Sequence, residues 1–196
     1  MKVVAIVEGD GEVAALPVLL RRIAQWRSPG LYAEIAQPIR VRRDRFLNRA
    51  EEFERHLLLA AAKSDEGDWI LVLFDADDDC PAELASELLA RAHGVIPHRR
   101  ISVVLAKREY EAWFIAAAAS LDGHRGFRFD PQDSIAAETP RDAKGWIASR
   151  MPSRSYGETT DQPAFSAKMD LELALENSRS FRKLCTEWDS AAATSA

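Results

Sequence analysis

The chain has 196 residues, 47% of them hydrophobic and 29% charged, which is enough to bury one sizeable core. A net charge of -5 argues against a general polyanion binder, and no run of 18 apolar residues offers a membrane span. Cys80 and Cys185 are far apart and the four histidines lack ligand spacing, so neither a disulfide framework nor a His/Cys metal site is expected.

The opening "MKVVAIVEGDGE" has too short an apolar run for a secretory signal, so a cytoplasmic protein is expected. "KVVAIVE" is β-branched and apolar and reads as a buried strand, bounded by "GDG". Residues 12–26 carry apolar positions at helical spacing, with Pro17 marking a late start or a kink. Residues 31–42 read as a second strand and 47–63 as an amphipathic helix. "DWILVLFD" is a third strand, followed by a helix over 82–92 with Pro81 at its first position. "RISVVLAK" is a fourth strand and "EYEAWFIAAAASL" a helix.

Strand and helix thus alternate four times, which predicts an α/β fold: a mostly parallel sheet of about four strands covered by helices. Residues 1–122 would form this core. Residues 123–189 would form a helical extension packed on it, with loops over 122–134 and 151–163, a short helix over 141–150, and two helices over 164–189 broken near Asn177. Residues 190–196 read as a disordered tail.

Acidic residues collect where strands one, three and four end, the edge at which open α/β sheets bind ligands. Glu8 ends the first strand and Glu12 follows four residues on, with Gly9 and Gly11 read as permitting a tight strand-to-helix turn. In "LFDADDD", Asp75 and Asp77 are two apart and would point the same way if strand geometry persisted. Asp78 and Asp79 read as solvated or capping residues. In "REYEAW", Glu109 and Glu111 are again two apart. Such a cluster is costly without counter-charge, and carboxylate oxygens suit Mg²⁺ or Mn²⁺. The segment "IRVRRDRFLNR" carries Arg40, Arg42, Arg43, Arg45 and Arg49, which could track the phosphates of a nucleic acid or simply form a solvated edge.

"VEGDGE", "LFDADDD" and "REYEAW", in this order on alternating strands, resemble the Toprim domain, the metal-dependent module of primases, topoisomerases and overcoming-lysogenization-defect (OLD) nucleases. The chain is most similar to a small stand-alone Toprim-like family of unknown function, often encoded beside an ATPase in bacteria. "AKGWI", "YGETTDQP" and "SRSFRKL" extend the resemblance through nearly the whole chain. It implies Glu8 as the lead glutamate and Glu12 as its partner ligand, with Asp75 and Asp77 as further metal ligands. Glu111 matches the late glutamate better than its neighbour Glu109, and Lys144 follows the order of a catalytic lysine in those nucleases. There is no G-x-x-x-x-G-K-[ST], so any ATPase is a separate protein.

Two readings follow from different classes. One is a Mg²⁺- or Mn²⁺-dependent phosphodiesterase acting on DNA or RNA, working with a separate ATPase in a bacterial defence-type system. The other is an accessory subunit that keeps the Toprim shape and binds that ATPase. A haloacid-dehalogenase-like phosphatase fits less well, because its nucleophilic D-x-D lies near the first strand rather than after two βα units. No membrane partner is expected, and self-association is left open.

Overall fold

A computed structural model of the chain describes residues 1–132 and 136–194. β1 (Lys2–Val7) leads into α1 (Asp10–Arg27), and the chain returns as two short strands, β2 (Glu34–Ile35) and β3 (Ile39–Arg40). The expected single strand over 31–42 is therefore interrupted. Pro38 between the two pieces has no N–H for a ladder, which confines it to a break on an edge strand. The expected helix over 47–63 is likewise split into α2 (Arg43–Asn48) and α3 (Ala50–Ala62), because Arg49 between them is extended. β4 (Trp69–Asp75), α4 (Pro81–Val95), β5 (Arg100–Ala106) and α5 (Ala112–Ala116) complete the α/β core. α1 runs through Pro17 without interruption.

Every strand pairing is parallel. β1 pairs with β2 and β3 on one side and with β4 on the other, and β4 pairs with β5. The strand path leaves β1 in one direction and then crosses to its other side. That reversal opens a crevice beyond the C-terminal ends of β1 and β4, the position at which sheets of this kind bind ligands.

Side chains alternate between two cores. Val3, Ala5, Val7, Leu71, Leu73 and Val104 face one layer, with α1, α5, α7 and α9. Val4, Ile6, Ile70, Val72, Phe74 and Leu105 face the other, with Phe46, Phe53, Leu57 and Leu88 of α2, α3 and α4. Both faces are covered, so the strands read as continuous apolar runs.

The C-terminal extension comprises α6 (Ala143–Ser149), α7 (Glu158–Lys168), α8 (Leu171–Asn177) and α9 (Arg179–Ala193). The expected loop over 151–163 ends early, because α7 begins at Glu158 and carries Pro163 within it. Asp170 caps α8 and Ser178 caps α9, which fixes the break expected near Asn177. The expected tail is also helical: α9 continues to Ala193, Ala191 and Ala192 are buried, and the Ala191 carbonyl accepts from Arg100 at 2.7 Å. Residues 195–196 of that tail and residues 133–134 of the expected loop lie outside the described residues.

Buried indoles dock α9. Trp188 meets Trp69 edge-on with ring centroids 5.9 Å apart, and its Nε1 donates to Ser28 Oγ at 3.2 Å. Trp113 Nε1 donates to Ser180 Oγ at 3.0 Å. Trp188 is fully buried, so Trp188→Ala is expected to cost about 3–5 kcal/mol in urea unfolding. A loss below about 1 kcal/mol would mean that α9 is not part of the cooperative core.

Candidate active site

Glu8 leaves the end of β1, Glu12 sits in the first turn of α1, Asp75 is the last residue of β4, and Glu111 follows β5 at the entrance to α5. The backbone N–H of Asp75 donates to Glu8 Oε1 at 2.7 Å, joining the ends of β1 and β4. Asp75 Oδ1 in turn accepts from the Tyr110 N–H at 2.8 Å, joining β4 to the chain after β5. Glu12, Asp75 and Glu111 are buried, and Glu8 is half-buried.

The expected pairing of Asp75 with Asp77 does not hold. The strand ends at Asp75, and Asp77 turns away in the left-handed region with φ 48°. Its N–H is held by the carbonyl of Arg108, itself left-handed with φ 69°, at 2.9 Å. This clasp sends Asp77 outward to Arg43 at 3.5 Å. Asp78 pairs with Arg108 and Arg141, and Asp79 with Arg43 at 2.8 Å. One aspartate of the tract thus enters the crevice and three are neutralised outside it.

The two glutamates after β5 also divide. Glu111 joins the carboxylate cluster. Glu109 Oε2 accepts from the backbone N–H of Lys144 at 2.9 Å and so anchors the start of α6. Of the arginines, Arg40 pairs with Asp10 at 3.0 Å and Arg43 with the aspartate tract, so both serve as internal counter-ions. Arg42 and Arg45 are exposed.

α7 supplies residues that carried no obvious signal. Gln162, fully buried, donates through Nε2 to Glu111 Oε1 at 2.8 Å and to Glu12 Oε1 at 3.3 Å. Tyr156 donates to the same Glu111 oxygen at 2.8 Å. Asp161 is held by Arg125, Arg154 and the Gly157 N–H at 2.5, 2.6 and 2.7 Å. Lys144 Nζ lies 3.2 Å from Glu158 Oε1. The available signal was the spacing of Glu158, Asp161, Gln162, Phe165 and Ser166, which is that of one helical face; Pro163 concealed it.

The glycines have a different use from the one expected. A Cβ on Gly11 would lie 2.1 Å from Gln162 Oε1 and 3.1 Å from Glu158 Cβ, and one on Gly9 would lie 2.2 Å from Glu12 Oε2. Gly9 has φ -104°, a conformation open to any residue. Close approach of α7 and of a carboxylate, rather than turn geometry, is what a side chain at these positions would disturb, displacing Gln162 or Glu12.

Burial pushes Asp75 well above the usual carboxylate range, with Glu111, Glu8 and Glu12 adding to the shift and Lys144 opposing it. Burial pushes Glu111 up to about 7, against the hydrogen bonds from Gln162 and Tyr156 and the charge of Lys144. Burial also raises Glu8, against the Asp75 N–H and Arg43. Burial pulls Lys144 down, but Glu111, Asp75 and Glu158 outweigh it and hold the ammonium above its ordinary value.

The chain belongs to the family described as Domain of unknown function (DUF4276), whose model matches residues 7–188. No curated protein and no solved structure matches it. The match spans both the acidic strand ends and the α7 residues that clamp them, so this family's domain includes the extension.

An oxygen-rich site of this kind fits a hard divalent cation in its donor chemistry. Glu12 Oε2 and Glu111 Oε2 are buried without a hydrogen-bond partner among the described residues. In the conformation described, no three acidic, histidine or cysteine side chains among those residues surround one ion position.

The raised carboxyl groups set a pH dependence. Glu111 has an ordinary value of 4.5 and is pushed to about 7 in the fold. Between these pH values the unfolded chain has released a proton that the folded chain keeps, so stability falls as pH rises through the window. Asp75 and Glu8 act in the same direction. At ~1.4 kcal/mol per unit, Glu111 alone contributes a decrease of up to roughly 3 kcal/mol. Urea unfolding in chelator-treated buffer at pH 5, 6 and 7.5 should show this slope, and Glu111→Gln should flatten it. Stability rising steadily over that range would contradict the burial of these groups.

Proposed function

We propose that the protein is a metal-dependent phosphodiesterase of the Toprim type, acting on nucleic acid. The observation that supports it most is the gathering of Glu8, Glu12, Asp75 and Glu111 beside Lys144, at the sheet edge where the strand path reverses. Mg²⁺ or Mn²⁺ held by these carboxylates would activate water and offset charge on a phosphodiester. Lys144, tethered to Glu158, offers a cation to an entering phosphate, and Glu109 fixes its backbone. Gln162 and Tyr156 hold Glu111 in one orientation. Arg42 and Arg45 are exposed cations available to a phosphate backbone.

A second reading is an accessory subunit that binds a separate ATPase in a bacterial defence-type system. It is favoured by the closed state of the cluster, in which one Glu111 oxygen already accepts from two donors, and by the internal pairing of Arg40 and Arg43.

Plasmid and single-stranded substrates incubated with Mg²⁺ or Mn²⁺ test the first reading. Wild type should cleave, and Asp75→Ala should lose at least about 100-fold in rate. Absence of cleavage with either metal, together with co-purification of an ATPase, would transfer the weight to the second reading.

Lys144→Ala separates chemistry from binding. It should lower turnover by about 10- to 1,000-fold while changing substrate affinity little, whereas Arg42→Ala with Arg45→Ala should weaken binding and flatten its salt dependence. Equal turnover in wild type and Lys144→Ala would make the lysine a counter-ion alone.

A further inference from the structure

β5 is the last strand on its side of the sheet, pairing only with β4 among the described residues. The Ala106 carbonyl accepts from the Ala76 N–H, so the backbone groups of Ala106 face β4. Alternation along the strand then directs the N–H and C=O groups of Val103 and Leu105 to the open edge. That edge forms the floor of a cavity of 780 Å³ between α4 and α9. Val103 and Leu105 are only 4% and 3% exposed, so the edge is recessed between its flanking helices. Hydrogen-bonding groups in such a place call for a partner.

The two walls differ in chemistry. On the α4 side stand Ala82, Ala85 and Leu89; on the α9 side stand Arg179 and Lys183, with Lys107 at the end of β5. The acids of the groove are already committed. Glu187 accepts from Ser102 Oγ and Lys183, and Glu138 accepts from the Ser180 N–H and the hydroxyls of Ser178 and Ser180. Glu187 equally occupies Lys183, so the unmatched character is apolar on one wall and cationic, through Arg179 and Lys107, on the other.

We infer that the β5 edge is a docking groove for an extended segment of a partner polypeptide, added to the sheet as a further strand, with apolar side chains toward α4 and acidic ones toward α9. The period of a strand presents alternate residues to opposite walls, so the ligand alternates apolar and acidic residues. The sheet edge of a second copy does not suit this place, because the flanking helices of both copies would hold the two edges apart. The inference is independent of any phosphodiesterase activity.

A fluorescent peptide of about seven residues, alternating valine and glutamate with blocked ends, is the probe. Polarisation should show saturable binding to the wild-type chain. Lysine in place of glutamate should weaken it at least about tenfold. N-methylation of one alternate set of amides should abolish binding, and methylation of the other set should change it less than about threefold, because only one edge of an added strand meets β5. Ala85→Trp, which fills the apolar wall, and the exposed Arg179→Glu should each weaken binding at least about fivefold with the melting temperature retained. No saturable binding up to about 1 mM would overturn the inference, as would binding indifferent to both methylated sets.

Discussion

Four carboxylates at one sheet edge, three of them buried, cannot be held together unless something offsets their charge, and the rest of the molecule is arranged around that constraint. An unpaired buried charge costs several kcal/mol, and a hydrogen bond to a charged group returns about 1.5–3 kcal/mol. The core itself contributes backbone donors: the Asp75 N–H to Glu8 and the Tyr110 N–H to Asp75. The remaining donors come from the extension, as Tyr156 before α7 and Gln162 within it, while the Lys144 ammonium on α6, paired with Glu158, adds a nearby positive charge. These do not fully offset the burial, which is why Asp75 and Glu111 hold protons more tightly than ordinary carboxylic acids. The extension is thus the neutralising wall of the crevice, and α1 packs against α7 through Gly11 to close it.

The aspartate tract after β4 shows how the chain limits how many charges enter. Asp77 and Arg108 both adopt left-handed backbone conformations, at a cost on the order of 1–3 kcal/mol each. Exposed ion pairs from Arg43, Arg108 and Arg141 return little individually. The strain is held instead by register: the ladder between β4 and β5 continues past both strands through Ala76 to Ala106 and Asp77 to Arg108. The turn separates Asp75, which must face the crevice, from three neighbours that must not.

The parallel sheet was readable in the sequence because both faces are covered, leaving apolar strands of unmistakable composition, whereas the order of its strands was not. Glu8, Asp75 and Glu111 were readable because strand ends at one edge of a parallel sheet share a location. Asp77 was misplaced because spacing of two predicts a shared side only while strand geometry lasts, and no residue type at 77 announces a left-handed turn. Glycine would have announced it. Arg40 and Arg43 looked available for phosphate because their partners, Asp10, Asp77 and Asp79, are distant in sequence. Gln162 was missed for the same reason, since it contacts Glu12 across 150 positions and a proline follows it. The glycines at 9 and 11 were noticed, but their local φ says nothing of the side chains pressed against them.

The same contacts bear on how one cluster could serve either proposed role. Tyr156 and Gln162 both occupy Glu111 Oε1 and leave Oε2 without a partner. Gln162 similarly takes Glu12 Oε1 and leaves Oε2. The donors therefore lie on one side of each carboxylate and fix its plane while the second oxygen stays uncommitted. On the phosphodiesterase reading that division is useful, because the open oxygens of Glu12 and Glu111 would be available to a cation, although the conformation described does not surround one position with three acidic side chains among the described residues. Lys144 is tethered to the more exposed Glu158 and can follow the charge outward toward an anionic substrate. On the accessory reading the clamp is sufficient in itself: its hydrogen bonds lock α7 to the strand ends and make the crevice a rigid part of the core. The two roles differ in whether the open oxygens are used, and the geometry of the clamp is common to both.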